Sequence, residues 1–206
     1  NVTAMPRTTA FGYYDHNFLC ALERRTDHIG PVALAGTRQR VHRIRAHQVV
    51  LATGAIERPL VFGNNDLPGI MLANSVSTYI NRYAVVPGQR CVVMTTNDSG
   101  YQTALDIQSA GRTVVAVVDS RHAPDGRLVE AAKVAGIQVM AGHGVIEAQG
   151  GKKVTGAIVA PLDEAGDKVT GAGKTLSCDL IAVAGGWSPV VHLSCHTGSR
   201  PVWQED

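Results

Sequence analysis

Short apolar segments alternate with amphipathic segments along this chain, and the two patterns predict strands joined by helices. Runs of consecutive apolar residues predict buried strands at residues 90–94, 113–118, 137–140 and 178–187. Apolar residues at helical spacing predict helices at residues 72–83, 103–110 and 128–135. Strands that alternate with helices form a parallel sheet with right-handed crossovers. The predicted fold class is therefore α/β.

A further buried parallel strand is predicted at Val49–Ala52, and the small residues Thr53 and Gly54 end it. Open parallel sheets bind ligands beyond the carboxyl ends of their strands. Small residues there let a backbone approach a nucleotide closely. Two interpretations stay open at this point: a nucleotide site, or a tight turn that holds no ligand.

Two other regions predict antiparallel strands. Residues 10–46 read as a meander, with a loop marked by Gly30-Pro31 and Gly36. The basic residues of its last strand, 38–45, are interpreted as a solvated face rather than an anion site. Strands at 144–148, 154–160 and 175–178, joined by a turn at 149–153 and a polar tip at 161–174, predict a three-stranded β flap added to the parallel sheet.

The second αβ region has the layout of a dinucleotide-binding domain, but its glycine fingerprint is degenerate. In Gly-x-Gly-x-x-Gly register, the three positions are Thr95, Asn97 and Gly100. Asp119 stands 24 positions after Thr95, near the spacing of a ribose-binding acid, and Arg121 follows it. A second nucleotide site is one interpretation. We favour the other, a scaffold without ligand, because side chains at the first two positions would occupy the phosphate path.

Composition narrows the function classes. The chain has 206 residues, a formal net charge of +2, 45% hydrophobic and 17% charged residues. These values are ordinary for a globular protein and favour neither nucleic acid nor a membrane surface as a partner. The four cysteines have no metal-ligand spacing, and we interpret them as reduced thiols of a cytoplasmic protein. His192 and His196 lack an evident third ligand, so no metal site is expected.

Several runs together resemble one known family. They are LATGAIERPLVFGNNDLPGIML (51–72), RTTAFGYYDHN (7–17) and the segments 97–99, 117–119 and 185–193. An Ala-Thr-Gly strand that leads into a proline is similar to a nucleotide-side motif of two-dinucleotide-domain flavoproteins. The full set resembles the α subunit of heterotetrameric sarcosine oxidase and covers nearly the whole chain.

The resemblance implies a glutathione-reductase-like FAD/NAD(P)-binding architecture. Residues 1–62 would be part of a first dinucleotide-binding domain, 63–88 a connector, 89–177 an inserted second Rossmann-like domain, and 178–206 the return to the first domain. No intact glycine-rich phosphate loop occurs in the sequence. The expectation is that this loop precedes Asn1 and that the chain is a central segment of a larger subunit.

The resemblance also implies a site and a set of cofactors. NAD would sit in the first domain, with Ala10 as a backbone contact to the adenine. Thr53 and Gly54 would line the same nucleotide, with Gly185 and Gly186 beside or close to them. FAD and FMN would belong to the full complex. Two possibilities stay open for this segment alone: it binds a nucleotide, or it binds none.

The family's activity is the oxidative demethylation of sarcosine to glycine, with release of hydrogen peroxide and transfer of the one-carbon unit to folate. The implied partners are the other subunits, and no residue here matches a catalytic role. Two alternatives stay open: the α subunit of a related heteromeric amine, opine or amino-acid dehydrogenase, and a scaffold module that only holds a nucleotide. A disulfide reductase is disfavoured because no cysteine pair has redox spacing.

Overall fold

The computed structural model describes residues 2–29 and 36–204. By its internal contacts the chain divides into a flanking unit, Asn1–Ala55 with Pro189–Asp206, and a central unit, Ile56–Ser188. The loop predicted at Gly30-Pro31 lies outside the described residues. Each unit is described separately below.

The flanking unit contains the predicted meander. Its strands are β1 (Thr8–Tyr14), β2 (Phe18–Arg24) and β3 (Gln39–Arg45), and they pair antiparallel in the order β1-β2-β3. His16 and Asn17 adopt positive φ values of 58° and 51° in the turn between β1 and β2. Two consecutive left-handed residues give the tight reversal that antiparallel neighbours need. A short 3-10 helix follows at Asp27–Ile29.

The strand predicted at Val49–Ala52 is not present. These residues have no regular secondary structure, and the side chain of Val50 is 89% exposed. A buried parallel strand needs hydrogen-bonded neighbours and cover on both faces. The flanking unit, as far as it is described, offers only the antiparallel meander. A short strand, β4 (Ala55–Glu57), begins where the predicted strand was expected to end.

The central unit contains most of the regular structure. In chain order its elements are β5 (Ile70–Leu72), α1 (Ala73–Tyr83), β6 (Arg90–Thr95), α2 (Ser99–Ser109), β7 (Thr113–Asp119), α3 (Arg127–Val134), β8 (Val139–Ala141), β9 (His143–Gly150), β10 (Val154–Pro161), β11 (Lys174–Ser177), β12 (Leu180–Ala184) and β13 (Trp187–Pro189), which runs into the flanking unit. A last short helix there is α4 (His192–Cys195). Five parallel strands pair in the order β5-β12-β6-β7-β8.

The core of the central unit follows from the two-residue period of its strands. On β6, Cys91 and Val93 belong to a cluster with residues of α1, α2 and α3, whereas Val92 and Met94 belong to a cluster with residues of β9, β10 and β11. Alternate residues of a strand point to opposite faces. The parallel sheet is therefore covered by helices on one face and by the antiparallel sheet β11-β10-β9 on the other. The predicted α/β class and β flap are confirmed.

The division into units differs from the predicted domain bounds. Segment 63–88 was predicted as a connector, but it supplies β5 and α1 to the central unit. The strand predicted to return to the first domain is β12, which lies between β5 and β6. All five residues of β12 are buried, because a central parallel strand is covered on both faces.

Candidate functional site

The turn after β6 occupies the position of a phosphate-binding loop. Thr95 Oγ1 donates a hydrogen bond to Asn97 O at 2.6 Å, and Asn97 Nδ2 donates to Ala184 O at 3.2 Å. Asn97 Oδ1 accepts from the Ser99 amide at 2.9 Å, one of the free N–H groups at the start of α2. A Cβ added to Gly100 would lie 2.6 Å from Thr95 Cβ. Protein side chains therefore take up the donors and the space that a pyrophosphate would need.

Asp119, the acid at the spacing of a ribose-binding residue, already has hydrogen-bond partners within the protein. Asp119 is fully buried and accepts from Tyr101 Oη at 2.8 Å and from Arg121 Nη2 at 2.8 Å. Arg121 also pairs with Asp98 at 2.9 Å. Hydrogen bonding to Asp119 raises the pKa of Arg121, and burial raises the pKa of Tyr101. These residues do not fit a dinucleotide at the end of β6 and β7.

Thr53, Gly54 and Ala10 lie in the flanking unit. Thr53 Oγ1 donates to Val190 O at 2.6 Å, and Val190 N donates to Gly54 O at 3.0 Å. Gly54 is exposed with φ of 71°, and nothing lies within 4 Å of a Cβ added to it. Ala10 pairs with Ala21 on β2, next to an irregularity in the β1–β2 register. An open left-handed glycine lets a ligand approach the backbone.

Gly185 and Gly186 lie in the central unit, where they pack against Arg58. Gly185 N donates to Arg58 O at 2.9 Å, and Arg58 N donates to Gly186 O at 2.9 Å. A Cβ on Gly185 would lie 2.6 Å from Arg58 O. The close backbone approach by itself accounts for a glycine at position 185.

A cavity of about 280 Å³ in the central unit was missed by the sequence reasoning. We call it the Glu57 cavity, and its lining residues are Glu57, Asn74, Ser77, Asn81, Ser99, Gln102, Thr103, Asp106 and Trp187. Glu57 is 6% exposed, and its Oε2 accepts from Asn74 N at 2.8 Å. Its Oε1 is buried and has no hydrogen-bond partner in the described part of the chain. The sequence feature that could have indicated this cavity is Glu57 itself, a single carboxylate shortly after the apolar run 49–52 and Gly54.

A side chain from outside the helix binds the free amide at the start of α1. The residue before α1 is Leu72, which makes no side-chain capping bond. The Glu57 carboxylate binds the free Asn74 amide instead. Burial raises the pKa of Glu57, and the Asn74 hydrogen bond partly opposes that change.

Cys20, Cys91, Cys178 and Cys195 are free thiols in the structure. Cys91 and Cys178 are buried, and burial raises the pKa of Cys178 to about 11. A thiol with so high a pKa is a poor nucleophile at neutral pH. In residues 2–29 and 36–204, no three His, Cys, Asp or Glu side chains are grouped as metal ligands. Within the same ranges no helix has the length and apolar character needed to cross a membrane.

The fold has relatives among solved structures. L-proline dehydrogenase from P. horikoshii matches 94% of this chain over 30% of its own, with a TM-score of 0.57 and 19% identity. An FAD-dependent pyridine nucleotide-disulphide oxidoreductase from Desulfovibrio vulgaris matches 93% of this chain over 46% of its own, with a TM-score of 0.58 and 18% identity. The predicted glutathione-reductase-like architecture is confirmed at the level of fold.

Sequence comparison gives higher identities. No family model matches the chain. The alpha subunit of sarcosine oxidase from Corynebacterium sp. (strain P-1) is 45% identical over 98% of this chain and 21% of its own length. The protein of the same name from Rhizobium meliloti is 42% identical over 100% of this chain and 20% of its own length. An opine oxidase subunit of that organism is 24% identical over 80% of this chain and 39% of its own length.

The chain thus spans about a fifth of the length of the curated relatives that it matches at 42–45% identity. That similarity includes the runs 7–17 and 51–72, which indicated the resemblance in the sequence. Along its whole length this chain is homologous to one segment of the sarcosine oxidase α subunit, and the predicted resemblance is confirmed.

Proposed function

We propose that this chain is a nucleotide-holding and scaffolding segment of an oxidoreductase α subunit of the sarcosine oxidase type. The observation that carries the proposal is identity of 42–45% to those subunits along 98–100% of the chain. The whole complex would demethylate sarcosine oxidatively to glycine, release hydrogen peroxide and pass the one-carbon unit to folate. Its other subunits would be the partners of this chain, in the cytoplasm.

The proposed nucleotide is NAD, and its proposed contacts in the flanking unit are Thr53, Gly54 and Ala10. Gly54 supports this assignment because its backbone is open on the side where a Cβ would stand. Gly185 and Gly186, which the resemblance also suggested, belong to the central unit, where they pack against Arg58, and no contact to the nucleotide is assigned to them. FAD and FMN would belong to the complete complex and supply the amine oxidation, and no residue of this chain is assigned a catalytic role.

The scaffold part of the proposal concerns the central unit. Its phosphate position is occupied by Thr95 and Asn97, and its acid is held by Tyr101 and Arg121. Side chains of the domain itself make the hydrogen bonds at the nucleotide-binding position. Such a Rossmann-like domain keeps its packing without a nucleotide. We therefore assign NAD to the flanking unit and a supporting role to the central unit.

Calorimetric titration of the 206-residue chain with NAD tests the nucleotide part, with FAD and ADP as competing probes. We expect Gly54→Ala to weaken NAD binding about tenfold, the effect of losing roughly 1.4 kcal/mol of contact. Gly166→Ala is the matched control, because Gly166 also has a positive φ, 76°, and open space around it. Equal affinity of both variants would remove Gly54 from the proposed site, and no heat at about 1 mM NAD would leave only the scaffold role.

Assay of the native protein, purified together with its accompanying subunits, tests the activity. We expect sarcosine to give peroxide without added dye. A second candidate is an opine-oxidising complex, favoured by the similarity to the opine oxidase subunit of Rhizobium meliloti. A substrate panel of sarcosine, proline and an opine, scored for peroxide and for dye reduction, distinguishes the two. Oxidation of the opine but not of sarcosine would overturn the first assignment.

A further inference from the structure

A cavity of about 420 Å³ in the flanking unit has a lining that contains no acidic residue. We call it the Arg24 cavity, and its lining residues are Arg7, Thr8, Thr9, Arg24 and His28. They come from three neighbouring pieces of chain: the start of β1, the last residue of β2 and the short 3-10 helix. Two guanidinium groups and an imidazole therefore share one space with no carboxylate among them.

Arg7 and Arg24 face each other at the open end of the β1–β2 pair. Arg24 N donates to Arg7 O at 3.0 Å, and Arg7 Nε donates to Arg24 O at 3.4 Å. Like charges that lie opposite each other on neighbouring strands lower stability. Neither guanidinium forms an ion pair within residues 2–29 and 36–204. The arrangement therefore carries a free-energy cost that an anion in the cavity would offset.

The acidic residues next to the lining in sequence already bind other partners. Glu23 Oε2 lies 2.9 Å from His42 Nε2. Asp27 accepts from Arg38 Nε at 3.0 Å and from Gln39 Nε2 at 2.6 Å. These contacts hold both carboxylates against the chain at and just before β3, so neither carboxylate forms an ion pair with a side chain of the Arg24 cavity.

The charge of the surrounding chain is also positive. Residues 1–55 include seven arginines and three acidic residues. The third acid, Asp15, lies in the turn at the opposite end of β1. The sequence of segment 30–35, which lies outside the described residues, contains no Asp or Glu. The cavity therefore attracts anions through its surroundings as well as through its lining.

The donors of the lining suit a phosphate group. A guanidinium presents a fork of N–H groups that matches phosphate and carboxylate oxygens, and an imidazole donates one N–H in either neutral tautomer. Because these donors come from three pieces of chain, a tetrahedral group with oxygens on every side meets more of them than a planar carboxylate does. We propose that the Arg24 cavity binds a phosphate group, with Arg7 and Arg24 as its charged ligands and with His28 and Thr9 as further donors.

The lining argues against other kinds of ligand. A cation would meet two guanidinium groups and no carboxylate. An apolar molecule would find no large apolar side chain among the five lining residues, and its entry would remove charged groups from water. The assignment does not depend on the proposed NAD site or on the activity of a larger complex, because inorganic phosphate is the probe that tests it.

Titration of the full chain with inorganic phosphate, followed by phosphorus NMR, tests the proposal. Low ionic strength is used because salt screens exposed charges. We expect saturable broadening of the phosphate signal in the parent chain. Affinity should be about tenfold weaker in Arg24→Gln and in Arg7→Gln, because each variant loses a charge-assisted hydrogen bond. The bond from Arg24 N to Arg7 O is a backbone contact, so both variants keep it, and circular dichroism checks the strands.

Arg25→Gln is the matched control, because it removes an equal charge at the next position but does not line the cavity. It should bind phosphate with the affinity of the parent chain. Equal weakening by the Arg24 and Arg25 variants would overturn the proposal, since it would show attraction by net charge alone. Broadening that does not saturate would also overturn it, and so would parent affinity in both Arg7→Gln and Arg24→Gln.

Two ligand controls complete the experiment. Glycerol phosphate distinguishes the sources of the group: tighter binding than inorganic phosphate identifies a phosphate ester as the ligand, whereas equal binding identifies free phosphate, and either result supports a phosphate site. Sodium acetate at equal ionic strength tests the alternative anion. Displacement of phosphate by an equal concentration of acetate would overturn the choice of phosphate over a carboxylate.

Discussion

The Tyr101 hydroxyl donates a hydrogen bond of 2.8 Å to Asp119 Oδ2, and both residues are fully buried. The contact joins α2 to the end of β7 at the place where a ribose would be held in a nucleotide-binding domain. The carboxylate thus stabilises the packing of a helix on its sheet. It also receives Arg121, so its charge is paired inside the protein.

Tyr101→Phe should lower the free energy of unfolding by about 1–3 kcal/mol, the range for a buried hydrogen bond to a charged group. Chemical denaturation of both proteins measures the difference. Tyr83→Phe, at an exposed ring, is the control and should change stability by less than about 0.5 kcal/mol. Equal effects at the two positions would show that the Asp119 contact adds no stability.

Gly100→Ala should destabilise the chain, although alanine is normally the better helix former. The added methyl would lie 2.6 Å from Thr95 Cβ, and overpacking of this kind costs about 1–3 kcal/mol. Gly151→Ala is the control, because its added Cβ meets nothing within 4 Å. Thermal unfolding measures both. An unchanged melting temperature for Gly100→Ala would contradict the tight α2–β6 packing.

Asn97→Ala should lower the stability of the chain without changing its affinity for NAD. The variant loses the hydrogen bond from the Ser99 amide and the one to Ala184 O, and we expect a loss of about 1 kcal/mol or more. NAD affinity should remain that of the parent chain, because the nucleotide is proposed to bind in the flanking unit. A parallel calorimetric and denaturation series measures both quantities. A tenfold change in NAD affinity would place the nucleotide at the turn after β6 instead.

Glu57→Gln should stabilise the chain more at neutral pH than at acidic pH. Burial raises the folded-state pKa of Glu57 above its ordinary value of 4.5. The proton is therefore held more tightly in the folded chain, and this contribution to stability is present below pH 4.5 and is lost as the pH rises through the folded pKa. Glutamine carries no such dependence.

Denaturation at about pH 4 and about pH 7.5 measures the difference between the Glu57→Gln variant and the parent chain, with Glu164→Gln as the control. The difference should grow in favour of the glutamine variant at the higher pH. A difference that stays constant, or that shrinks, would contradict the assignment of a raised pKa to Glu57.

Much of the central unit could be predicted because its strands are buried on both faces. Runs such as those of β6 and β7 are almost continuously apolar, and the helices between them carry apolar residues at helical spacing. The run at Val49–Ala52 has the same local signature, but it lies outside any sheet in the described flanking unit. Local pattern predicts that a segment can be buried, whereas only its neighbours decide whether it is.

The site was less predictable than the fold. Thr95 and Asn97 could be identified as replacements of fingerprint glycines, and the structure adds the hydrogen bonds that fill the position. The role of Glu57 in a cavity could not be predicted from the spacing of residues in the sequence. Its partner is the amide of Asn74, and its cavity is completed by Trp187, 130 positions further along the sequence. Long-range contacts of this kind leave no periodic signal in the chain.

The carboxylate of Glu57 binds the first turn of α1 through one oxygen, and its other oxygen is buried without a partner in the described residues. A chain selected for rigidity alone would have an amide at this position, since glutamine keeps the helix contact without the free-energy cost of burying an ionised group. Hydrogen exchange of the Asn74 backbone amide would report how firmly this contact holds the start of α1.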